Sequence, residues 1–116
     1  MQDLIETIVF RTGLEPAKAE RALGIMLALV KSHGDKAKAQ ELLARLPGAS
    51  ALAEEHAGGR FTSGPLATMS KLTAAGLSME QIKQVGLLTL EYAKNKAGIE
   101  LVREAAGTIP GLSGYL

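Results

Sequence analysis

A chain of 116 residues is long enough for one domain that buries roughly two-thirds of its unfolded surface, and too short for two independent cores. Hydrophobic residues make up 47% of it but aromatics only 3%, so the core is expected to be built from Ala, Leu, Ile, Val and Met in closely packed helices. The absence of Cys excludes disulfides, thiolate chemistry and sulfur-bound zinc, and a net charge of +1 supplies no field that would recruit a phosphate backbone.

In chain order, residues 2–11 place Leu4, Ile5, Ile8 and Val9 on one helical face, and Thr12-Gly13 closes that helix. Glu15-Pro16 opens a second helix, with the proline where its missing N–H costs nothing. It continues to about His33, is stopped by Gly34, and is about 28 Å long at 1.5 Å per residue. Asp35 is the expected N-cap of a third helix that carries Ala39, Leu42, Leu43 and Leu46 to a stop at Pro47-Gly48. A short helical turn over Ser50–Ala57 follows. Residues 58–64 are the only Gly/Ser/Pro-rich stretch and are expected to be a linker. Beyond it the pattern predicts helices from Pro65 to about Ala75, from Ser78 to about Lys96 and from Ile99 to about Ile109. Ser78 and Gln81 form an S-x-x-Q capping box.

This order is one unit written twice. At an offset of 63 residues, Gly13-Leu14 falls on Gly76-Leu77, Leu27 on Leu90, Lys31 on Lys94 and Glu41 on Glu104. Pro47-Gly48 and Ser50 likewise fall on Pro110-Gly111 and Ser113. The expected architecture is all-α, about six helices in two related three-helix units, residues 1–57 and 65–116, packed with pseudo-twofold symmetry.

The longest helices should form the seam between the units. Ala19, Leu23, Met26 and Val30 lie along one line of the first, opposite Lys18, Glu20, Arg21 and Lys31. The matching line of the other is Ile82, Gly86, Thr89 and Ala93, so large residues (Leu23, Met26, Val30) correspond to small ones (Gly86, Thr89, Ala93), as suits two helices crossing closely. Ile25, Leu87 and Leu88 fall outside these lines, beside Gly24 and Ala28, and are expected to form an apolar patch for dimerisation or partner binding.

The sequence holds no recognisable reaction chemistry. His33 and His56 lack ligand spacing, no Ser stands in G-x-S-x-G, Gly58-Gly59 is not followed by a Lys-Ser/Thr pair, and Glu54-Glu55 reads as a solvated pair. No catalytic, metal or cofactor residues are therefore assigned. An alternative is a carrier of a small apolar ligand between helices lined by Ala and by Met26, Met69 and Met79. A second alternative is DNA binding, because Lys71–Ile82 has the cadence of a helix-turn-helix, and Ile8–Leu23 resembles the opening hairpin of bacterial histone-like HU proteins. Residues 1–58 carry seven basic and eight acidic groups and residues 59–116 six and four, so neither half is a basic platform and nucleic acid is an improbable partner. Met1 leads into Asp3 and Glu6 rather than a secretory pattern. The longest uncharged apolar run, Ala22–Val30, has nine residues against the roughly 20 a membrane span needs, so the expectation is a cytoplasmic protein with no membrane contact.

Gly13-Leu14 before a long helix, Leu46-Pro47-Gly48-Ala49 closing the first hairpin, Gly76-Leu77-Ser78 opening the second and Ile109-Pro110-Gly111-Leu112 near the end together resemble the VcgC/VcgE-like bacterial proteins, a family of unknown function. The resemblance implies a helical architecture and carries no catalytic residues. The sequence thus points to a non-enzymatic helical interaction module, self-associating or partner-binding.

Overall fold

The structure, a computed structural model of the chain, describes residues 2–56, 65–107 and 109. The expected linker at 58–64 lies outside the described residues. Seven helices are described: α1 (Gln2–Thr12), α2 (Pro16–His33), α3 (Lys36–Arg45), α4 (Ala49–His56), α5 (Pro65–Ala74), α6 (Met79–Ala97) and α7 (Ile99–Ala106). No strand occurs among the described residues. The count exceeds the expected six because the turn foreseen at Ser50–Ala57 is a full helix, α4.

Local chemistry sets most helix ends. Gly13 takes φ +75°, a conformation costly for a residue with a Cβ, and its N–H bonds the Val9 carbonyl at 2.9 Å to end α1. Pro16 occupies the first turn of α2. The Asp35 carboxylate accepts the Lys38 N–H at 3.1 Å and caps α3. At α6 both halves of the capping box form: the Gln81 N–H donates to Ser78 Oγ at 3.2 Å, and the Ser78 N–H donates to Gln81 Oε1 at 2.9 Å. α7 stops at Ala106, short of the expected Ile109, which lies in a bend and is buried.

Tertiary packing makes α2 the hub, in contact with every other helix. Its middle, Ala22 to Val30, is buried on all sides apart from the half-buried Met26, as expected of a helix apolar around its whole circumference. α4 makes the most extensive contact with it. Gly24, Ala28 and Lys31 share a face at i, i+4 and i+7, two of them small enough to admit a neighbouring backbone. The ion pair from Lys31 Nζ to Glu54 Oε1 at 3.3 Å brings α4 to that face. Glu54, read from sequence as merely solvated, thus links α4 to α2.

α2 also meets α6. Leu23 and Val30 are buried, Met26 is half-buried, and a carbon built on Gly86 would lie 3.6 Å from Met26 Cε. Thr89 is buried at this level, and its hydroxyl is satisfied by donation to the Val85 carbonyl at 2.7 Å. Because 3.6 Å is ordinary van der Waals contact, Gly86→Ala is expected to raise unfolding stability by up to about 1 kcal/mol through helix propensity. Gly86→Leu must displace Met26 and should cost about 1–3 kcal/mol. Urea denaturation of both variants checks this; a neutral Gly86→Leu would mean that α2 does not lie against this position.

Candidate interaction surface

The three residues expected to share an apolar patch differ in exposure. Ile25 is only 7% exposed and belongs to the core, so it is not a surface contact. The projection failed there because it allowed α2 one polar side, whereas six helices surround it. Leu88 is half-buried against the core, and Leu87 is 40% exposed on α6. Leu23, Met26 and Val30 lie on α2 and Gly86 on α6, two helices that meet, with Gly86 facing Met26.

The most exposed large apolar side chains among the described residues are Phe10 at 86%, which the sequence reading does not single out, and Met79 at 67%. Phe10 lies on the side of α1 opposite the buried Ile8, a position visible on a helical projection. Gln81 Nε2 donates to the Thr12 carbonyl at 3.1 Å, so the C-terminus of α1 meets the N-terminus of α6. Phe10 and Met79, each two residues from one partner of that bond, therefore lie at the same end of the α1–α6 pair. At the other end the Tyr92 hydroxyl donates to Asp3 Oδ1 at 3.2 Å, so the two helices run antiparallel. Desolvation pushes the Asp3 carboxyl upward, but hydrogen bonds from the Leu4 N–H and the Tyr92 hydroxyl outweigh it and hold the group below its ordinary value. Desolvation, then the neighbouring Asp3 charge and hydrogen bond, push Tyr92 above its ordinary value.

An open cleft of about 450 Å³ lies where α3 meets α7 and the end of α6, lined by Glu41, Arg45, Ile99, Glu100, Leu101 and Glu104 among others. Glu104 is paired there with Lys38 at 3.3 Å. Its rim is mixed in charge and solvated, a poor match to an apolar ligand. Of the methionines proposed to line a carrier pocket, Met26 and Met69 pack on the core and Met79 stands in solvent. Lys71–Ile82 does form helix, turn and helix, with Gly76 at φ +100°. The following helix presents Glu80 and Lys83 on its exposed first turns, and its length packs on α1 and α2. Among the described residues no three His, Asp or Glu side chains are grouped to hold a metal ion, and no helix is long and apolar enough to cross a membrane. Comparison of the chain with protein-family models, curated proteins and solved structures finds no match.

Proposed function

We propose that the chain is a non-enzymatic helical interaction module that self-associates, built from two related three-helix units about a pseudo-twofold axis. The shift of 63 residues carries α1, α2 and α3 onto α5, α6 and α7 with every end agreeing to about two residues or better. Packing is reciprocal in the same sense: α1 lies on α6 as α5 lies on α2, while α2 meets α6 and α3 meets α7. Gln81 bonds the Thr12 carbonyl at the end of α1, and its mate Lys18 reaches the end of α5, where a carbon built on Gly76 would lie 3.2 Å from the ammonium. The resemblance to the VcgC/VcgE-like proteins contributes a helical architecture to this reading and no reaction.

The observation that carries the association is Phe10. It is one of four aromatic residues in the chain, and it stands almost fully in water with Met79 at the same end of the helix pair. Burying such a ring yields roughly 2–3 kcal/mol, and aromatic and Met side chains are enriched at interface centres. A second copy is the simplest partner, since a twofold contact needs only one self-complementary patch. Sedimentation velocity over a concentration series should show a monomer–dimer equilibrium that Phe10→Glu weakens at least tenfold, with unfolding stability unchanged. A native chain that stays monomeric at every concentration would refute self-association.

A further inference from the structure

The chain has no Cys, so methionine thioethers are the sulfur that an oxidant meets. Among the described residues these are Met26, Met69 and Met79. Met26 and Met69 are half-buried against the core, whereas Met79 is 67% exposed. Thioether oxidation follows access, so the fold sets Met79 apart from the other two. We propose that Met79 is an oxidation site whose sulfoxide releases the self-association through Phe10, an inference that rests on that association.

The start of α6 gives no local task to an apolar side chain at this position. The capping box uses Ser78 and Gln81, and the residues at the two hydrophobic-staple positions, Leu77 and Ile82, are both buried. Met79, the first residue of the helix, belongs to neither device. Its place is nonetheless fixed, because the Gln81 side chain accepts the Ser78 N–H at 2.9 Å and donates to the Thr12 carbonyl at 3.1 Å. That one amide ties the first turn of α6 to the last turn of α1, and so holds Met79 at the end of the helix pair that also carries Phe10. A twofold contact through this end brings two rings and two thioethers together, and sulfur at an aromatic edge is a favourable contact. Oxidation reverses the sign. Hydrogen peroxide transfers one oxygen to Met79 Sδ: the S–O bond forms, the O–O bond breaks, the sulfur gives up two electrons and water leaves. The sulfoxide is polar where the patch is apolar, and a twofold dimer carries it twice. Met79 stands in solvent, so the fold itself does not depend on it, whereas Met26 Cε lies 3.6 Å from a carbon built on Gly86 and oxygen there would disturb the packing of α2 on α6.

Excess hydrogen peroxide, followed by peptide mapping, sedimentation velocity and urea denaturation, tests this. Met79 is expected to take up oxygen at least fivefold faster than Met26 or Met69, and more slowly as rising protein concentration covers it by association. The chain oxidised at Met79 should dimerise at least tenfold more weakly with its urea midpoint unchanged, and methionine sulfoxide reductases of both epimer specificities should restore the native affinity. Met79→Gln should weaken association without peroxide, and Met79→Leu should associate and keep its affinity in peroxide. A Met79→Leu chain that peroxide dissociates would overturn the assignment to this residue. If the native chain associates, Phe10→Glu weakens it and oxidation of Met79 does not, the proposal fails while the Phe10 contact stands. A native chain that is monomeric before any oxidation overturns both.

Discussion

Ile25→Glu is expected to destabilise the fold by about 4 kcal/mol, while Leu87→Glu changes stability by no more than about 0.5 kcal/mol. The two positions looked alike on a helical projection, apolar residues near the polar sides of long helices. In the folded chain Ile25 is 7% exposed in the middle of the hub helix, with Gly24, Leu27, Ala28 and Leu29 buried around it. The introduced group must either be buried as an acid or open the packing around α2, and both are costly in a domain whose total stability is on the order of 5–15 kcal/mol. Leu87 leaves room for a solvated carboxylate at its rim. Urea denaturation followed by circular dichroism measures both variants. An Ile25→Glu protein with an unchanged midpoint and altered association would mean that Ile25 is a partner contact after all.

Gly34→Ala should cost about 3 kcal/mol, even though its backbone is extended (φ −77°) and suits any residue. The reason is proximity. A carbon on Gly34 would collide with the Ala105 carbonyl oxygen and lie 2.6 Å from the Val30 carbonyl oxygen. That Ala105 carbonyl accepts the Asp35 N–H at 3.1 Å, so the last turn of α7 is held against the start of α3, where the negative end of one helix meets the positive end of the other. Making room loses this bond, about 1 kcal/mol, and forces an overpacked junction, about 1–3 kcal/mol more. Thermal unfolding should fall by roughly 10 °C. Gly34→Ala at native stability would show that the α3–α7 junction is looser than described.

Helix ends were legible in the residues because the forces that set them act within one turn. Pro16, Asp35, the Ser78/Gln81 box and Gly13 with Gly76 each satisfy or free a backbone group a few positions away, and all lie where the pattern put them. The surface was less legible. Ile25 was assigned to it although Ala22–Val30 carries no charge and includes Gly24 and Ala28, two signals of a helix enclosed on every side. α4 reads only as a turn in the sequence because its small residues Ala49 and Ala53 make a weak stripe, which becomes a buried face once α4 packs on α2. Phe10 lies off the apolar line through Leu4, Ile5 and Ile8, on the far side of α1, where a periodic pattern gives no signal.

Composition and local pattern alone therefore determined that this chain is helical and where most of its helices begin and end. Those properties depend on backbone hydrogen bonding, side-chain volume and periodicity, all of which are written within short stretches. Which apolar residues stay in water was decided only when seven helices closed around α2. Exposure depends on neighbours distant in the chain, and a helix projected by itself has no neighbours.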